Sequence, residues 1–252
     1  VASPDDKKRP ENLQALRRVL GELTGTKAEL DFLQTLFTDG DFHYDRKATE
    51  RQFKQQAADY AVIHLAMHGV VDKDNPMYSA MVFSEDGDST EDNFLHAYEL
   101  QNLSLSADLV VLSACETGYG KYQHGEGVVS LGRGFMYAGT PALVTTLWSI
   151  NDQTSAAIMQ LFYQNLRKQM PIDIALQQAK IDYLQNQKGL ATHPNFWSAF
   201  VAVGDTQTVG VQRSKFWFWT ILAAATLALL ITAVIVYRRR EETPAERELR
   251  RR

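Results

Sequence analysis

Ala107-Asp-Leu-Val-Val-Leu-Ser-Ala-Cys115-Glu-Thr-Gly118 carries a strongly apolar run that ends at the one cysteine of a 252-residue chain and is closed by turn residues. Two other runs have the same shape. Tyr60-Ala-Val-Ile-His-Leu-Ala-Met67 ends at His68-Gly69, and Pro141-Ala-Leu-Val-Thr-Thr-Leu-Trp-Ser-Ile150 ends at Asn151-Asp152. Short β-rich apolar runs bounded by turn residues read as buried parallel strands. In open α/β sheets the reacting groups gather beyond the carboxyl ends of the strands. Three strands therefore predict a histidine, a cysteine and a carboxylate at one edge of one sheet.

Working outward, helices alternate with these strands. Thr26 precedes Lys27-Ala-Glu-Leu-Asp-Phe-Leu-Gln-Thr-Leu-Phe37, a capped amphipathic helix stopped near Gly40. A short strand over Phe42–Tyr44 and a helix over Thr49–Ala57 lead to the histidine strand. The stretch between His68 and the cysteine strand reads as loop-rich. Its acidic part, Ser84 to Asn93, lacks the alternating ligands and distal glutamate of a calcium loop and reads as solvated. Gly125 to Gly139 predicts a crossover helix whose Gly127, Gly132 and Gly134 lack the Lys-Ser/Thr of a phosphate loop and suit close helix-to-sheet packing. Gln153–Gln169 and Pro171–Gln187 are helical, with Ala156, Met159, Leu161, Phe162 and Leu166 on one inner face and Ile174, Leu176, Ile181 and Leu184 on the other. A last strand spans Phe196–Val203. The alternation predicts an α/β fold with helices on both faces of a mostly parallel sheet.

Hydrophobic residues make up 45% and charged residues 22%, ordinary for a globular domain, and a net charge of −4 with no basic stripe in the globular part argues against nucleic acid. A lone cysteine leaves no disulfide framework to read, so composition does not choose a redox compartment.

Cys115 has two readings, an inert core thiol or a nucleophile, and His68 two likewise, a satisfied strand-end histidine or the base a thiolate needs. Their joint placement at one sheet edge favours the chemical pair. His64 and His68 are four apart, a chelating distance on a helix but about 13 Å along a strand, so no metal is expected there. His43, His96, His124 and His193 lie in polar segments that single none of them out.

The blocks His64-Leu-Ala-Met-His68-Gly69, Ala107 to Gly118, Gly125-Glu-Gly127, Leu147-Trp-Ser-Ile-Asn-Asp152 and His193-Pro-Asn-Phe-Trp-Ser-Ala-Phe200 resemble, in order and spacing, those of the CHAT domain, a caspase-like cysteine peptidase family related to separases and gingipains. Met67 departs from the pattern, where the family often has a smaller polar residue. The resemblance implies a caspase-type sheet with Cys115 as nucleophile, His68 as general acid/base, and the backbone N–H groups of Gly69 and Cys115 as the oxyanion hole. No cofactor and no metal are implied. Leu147 to Asp152 also resembles the separase segment whose aspartate lines the primary specificity pocket. Asp152 would there select Arg or Lys, although Asp152 or Asn151 could equally cap the helix that begins at Gln153.

Phe216–Tyr237 is 22 residues without a charge, about 33 Å as a helix against a hydrocarbon core of about 30 Å, and predicts a transmembrane span with aromatic ends. Arg213 and Lys215 precede it and seven arginines follow it, which favours an extracytoplasmic domain and a cytoplasmic tail. The start, Val1-Ala-Ser-Pro, suggests a piece of a longer precursor. The expected organisation is a linker or the end of an upstream element over 1–19, the CHAT domain over 20–207, a stalk over 208–215, the membrane helix over 216–237 and a basic tail over 238–252. The expected function is a membrane-anchored cysteine endopeptidase acting on protein substrates and activated by upstream tetratricopeptide or other interaction repeats. The alternative is a catalytically silent interaction module at the membrane.

Overall fold

The computed structural model describes residues 24–72, 75–85, 87, 91–113, 126–148 and 150–210, with Thr226, Leu229 and Thr232. The chain divides into two compact units, Val1–Val211 and Gln212–Arg252. In the first unit the described elements are, in order, α1 (Thr24–Leu36), α2 (Glu50–Gln56), β1 (Val62–Leu65), β2 (Gly69–Val70), β3 (Ala80–Val82), β4 (Phe94–His96), α3 (Ala97–Leu100), β5 (Leu109–Leu112), α4 (Glu126–Tyr137), β6 (Ala142–Thr146), α5 (Asp152–Arg167), α6 (Ile172–Asn186), α7 (Pro194–Trp197) and β7 (Phe200–Gly204).

The main sheet has the order β1-β5-β6-β7, with β1, β5 and β6 parallel and β7 antiparallel to β6. β5 is its most enclosed strand, all four residues at 0% exposure, because both sheet faces are covered. Side chains alternate between those faces. Leu109 and Val111 join Ala142 and Val144 in a core with Ile158, Met159 and Phe162 of α5 and Ala175 and Ala179 of α6. Val110 and Leu112 join Ile63, Leu65 and Leu143 in a second core with Leu131 and Phe135 of α4. The expected mixed α/β fold, with a mostly parallel sheet flanked by helices, is the observed one.

Gly132 serves close helix-to-sheet packing as expected, whereas Gly134 makes room for the helix α3 and not for the sheet. A Cβ on Gly132 would collide with the Leu143 side chain, and one on Gly134 would lie 2.9 Å from Leu100 Cδ1. Other expectations need correction. Phe42–Tyr44 is not a strand: Phe42 packs on the α1–α5 core, and a 3-10 turn follows at Asp45–Lys47. The stretch after His68 contains a three-stranded antiparallel sheet, β2-β3-β4, which period-2 reading misses in strands of two and three residues. The last strand begins at Phe200, because Pro194 opens the short helix α7 before it. Ile174 and Ile181 are 45% and 40% exposed, since α6 turns Ile172, Ala175, Leu176, Ala179 and Tyr183 inward and uses its alanines to approach the sheet layer. In the second unit Thr226, Leu229 and Thr232 are helical and exposed, and the rest of the expected membrane span lies outside the described residues. Among the described residues no helix is long and apolar enough to cross a membrane.

Candidate functional site

β1 and β5 lie side by side with Leu65 opposite Leu112. His68 and Cys115 each follow the last residue of their strand by three positions. The two strands that carry the expected pair thus end level with one another on the same side of the sheet. His68 is half-buried in the link to β2, and its carbonyl accepts from the Val82 amide at 2.9 Å, which pins the link to β3. Gly69 opens β2, buried and opposite Met81. Cys115 lies in the segment 114–125, outside the described residues, together with His124 and Gly125.

β6 leads from Thr146 to Asp152, the first residue of α5. The cap of this helix is Asn151, whose Oδ1 accepts from the amides of Gln153 at 2.9 Å and Thr154 at 3.3 Å. The half-buried Asp152 carboxylate therefore stands in the first turn, at the positive end of the macrodipole, without the capping duty. Gly25 of α1 lies directly against it: a Cβ on Gly25 would come within 2.5 Å of Asp152 Cβ and 2.6 Å of its carbonyl oxygen. Two of the quoted sequence blocks also meet here. Leu147 donates its amide to the Ala199 carbonyl at 2.9 Å, and Trp148 Nε1 donates to the Asn195 carbonyl at 2.9 Å. The His193–Phe200 block thus braces the segment that leads to Asp152.

His64 does not pair with His68. It faces a buried polar set: Nε2 lies 2.9 Å from Glu29 Oε1 and 3.3 Å from Ser113 Oγ, and Nδ1 lies 3.0 Å from Tyr163 Oη. Burial, and next the nearby Glu29, hold the Tyr163 hydroxyl well above its ordinary pKa, so it remains a neutral donor. Sequence reasoning passed over Glu29, although it lies four residues before Leu33 and seven before Leu36, on the apolar side of α1. A carboxylate at such a position is the available signal for a buried partner.

Glu50, Glu91 and Glu99 lie close enough together to hold a cation, but the Lys54 ammonium occupies their centre at 2.6, 2.8 and 2.9 Å. Burial raises the Glu50 carboxyl pKa. Burial alone would lower that of Lys54, yet hydrogen bonds to Glu50, Glu91 and Glu99 outweigh it and hold the ammonium above its usual range. His96, buried against Tyr78 and stacked at 5.1 Å on Tyr98, has Nδ1 2.9 Å from the Tyr78 carbonyl and Nε2 3.7 Å from Asp92. Burial opposes its protonation, but Asp92 and the Tyr78 carbonyl prevail and raise its pKa.

Tetratricopeptide repeat protein 28 of mouse is 31% identical to this chain over 110 residues, 44% of the chain and 4% of that protein. The human protein of the same name is 28% identical over 127 residues, 48% of the chain and 5% of that protein. The chain therefore spans a small fraction of the length of these relatives. Residues 1–205 match the CHAT domain. With a mostly parallel sheet flanked by helices, and the histidine and cysteine strands level within it, the chain belongs to the CHAT domain family, whose fold is caspase-like.

Proposed function

We propose that this chain is the catalytic part of a membrane-anchored cysteine endopeptidase that uses Cys115 and His68. The observation that carries the reading is the register of β1 and β5, with both residues three positions beyond a paired strand end. In this reading the Cys115 thiolate attacks a substrate carbonyl, and the backbone N–H groups of Gly69 and Cys115 hold the oxyanion, where one donor is worth about 3 kcal/mol of transition-state stabilisation. His68 protonates the departing amine to leave a thioester, then takes a proton from the water that hydrolyses it. Asp152, freed from capping by Asn151, selects Arg or Lys before the scissile bond. The names of the relatives support upstream tetratricopeptide repeats as the regulatory region. Phe216–Tyr237 anchors the enzyme, with the catalytic domain outside the cytoplasm.

Those same names describe repeats and no activity, which favours a second reading, a silent interaction module. The two separate cleanly because the chain has one cysteine. A thiol-directed acyl electrophile should label Cys115 in the parent and fail to label the His68→Ala variant, and Cys115→Ala and His68→Ala should each abolish peptide cleavage without loss of fold. Equal labelling with and without His68, or full cleavage by either variant, refutes the peptidase reading.

A further inference from the structure

Ser113 is the first residue past β5 and stands two residues before Cys115; His64 is on β1, four residues before His68. The same buried polar set touches both. Ser113 is 1% exposed, and each of its polar groups has a close partner. Its amide donates to the Leu65 carbonyl at 3.1 Å, which carries the β1–β5 pairing one step beyond the strands. Its carbonyl lies beyond the last β5–β6 pair, Val111 with Val144, and accepts instead from Ser155 Oγ of α5 at 2.7 Å. Its hydroxyl lies 3.3 Å from His64 Nε2.

His64 has a close polar neighbour at each ring nitrogen: Nε2 faces Glu29 and the Ser113 hydroxyl. Nδ1 lies 3.0 Å from the Tyr163 hydroxyl, a neutral donor. The approach of Glu29 Oε1 is short but not aligned as a hydrogen bond. Glu29, Tyr163 and Ser155 are 1%, 2% and 4% exposed. An apolar filler would spare this core the desolvation of a carboxylate, an imidazole and three hydroxyls. What the polar set adds is direction, because its contacts fix angles between α1, β1, β5 and α5 that apolar packing leaves softer.

We propose that Glu29, His64, Tyr163, Ser155 and Ser113 form a clamp beneath the site that sets Cys115 against His68. They are positioning residues, acting on the two strand exits without touching substrate. This inference rests on the Cys115–His68 reading, and the experiment separates the two. The purified full chain is treated with peptidyl acyloxymethyl ketones ending in Arg and in Leu, and in parallel with iodoacetamide. The ketones require an aligned thiolate and oxyanion hole; iodoacetamide alkylation run to completion requires only that the thiol be accessible. Ser155→Ala and Tyr163→Phe each delete one hydroxyl with almost no change of shape. Both should lower the maximal inactivation rate by the ketones about tenfold or more, leave the half-saturating ketone concentration within about twofold, and leave the final extent of iodoacetamide alkylation unchanged. Ser155→Thr, which restores the hydroxyl, should recover most of the rate. Parent-like inactivation rates in folded Ser155→Ala and Tyr163→Phe overturn the clamp while leaving the dyad intact, as does a lowered melting temperature with unchanged inactivation. Inactivation of the parent that is indifferent to His68→Ala removes the dyad reading and the clamp with it.

Discussion

Replacing Gly25 with alanine sets two effects of opposite sign against each other. Gly25 is buried in the first turn of α1 and helical, so propensity alone favours alanine by about 1 kcal/mol. The new methyl would sit 2.5 Å from Asp152 Cβ, 2.6 Å from its carbonyl oxygen and 2.7 Å from its carbonyl carbon. Ordinary carbon contacts are about 3.5–4.0 Å, so α1 and α5 must part by roughly 1 Å. None of the three atoms is the end of a flexible side chain, and no rotamer change relieves the clash. Separation loosens Leu33 against Met159 and Phe162, and Phe37 against the edge of Tyr163 at 5.7 Å. Overpacking of this kind costs about 1–3 kcal/mol, and a clash with the backbone at a helix start belongs at the upper end. The net loss is about 2 kcal/mol, or about 4–8 °C in melting temperature for a domain of this size. Thermal unfolding followed by circular dichroism measures it, with Lys27→Ala, an exposed change in the same helix, as the control for propensity. A Gly25→Ala melting temperature equal to or above that of the parent refutes the close approach of the two helices.

At the start of α5, Asn151→Ala should cost about 1 kcal/mol of stability through loss of the cap. Asp152→Asn should leave the melting temperature nearly unchanged and remove any preference for Arg- and Lys-ended over Leu- and Asp-ended peptides; a basic preference that survives in the variant excludes Asp152 from the pocket. Lys54→Met leaves three glutamates facing one another, one of them at 0% exposure, and should cost about 3 kcal/mol at neutral pH, a deficit that shrinks as pH falls and the buried Glu50, whose carboxyl pKa is raised, takes up a proton. A deficit independent of pH in thermal unfolding would show that packing of the lysine stem, not its charge, is what is lost. For His96 the folded pKa is raised above the unfolded value near 6.5, so its contribution is fully present below that value and is lost as pH rises through the raised one. The melting-temperature gap between parent and His96→Gln should therefore be wider at pH 6 than at pH 8.5, and a gap that is constant or widens with pH contradicts the shift.

What could be read in advance follows from how each element is stabilised. β5 announces itself because both faces of the sheet are covered, so four successive side chains had to be apolar. The α5 helix and its cap are legible for a local reason: Asn151 meets its amide partners within three residues. β2, β3 and β4 are held by one another and by Ser79, Asn93 and the Ala48 carbonyl, through bonds made by backbone groups that any residue supplies, so their sequences carry little pattern. α6 misleads because alanines share its inner face with Ile172, Leu176 and Tyr183, while two large aliphatic side chains, Ile174 and Ile181, point outward. The clamp beneath the site is illegible for a deeper reason. Glu29 lies on α1, His64 on β1, Ser113 just past β5, and Ser155 and Tyr163 on α5, so the set is scattered along the chain and each member alone looks like an ordinary polar residue. Two exceptions are readable. Glu29 on the apolar side of α1 is a charge where the helix period demands a hydrocarbon, and a carboxylate there implies a partner inside the fold. His64, an imidazole in the apolar run that precedes His68, is the matching anomaly on β1. Taken together, two polar residues at positions that the hydrophobic pattern assigns to the interior are the sequence signature of a buried pair, and the structure places them 2.9 Å apart.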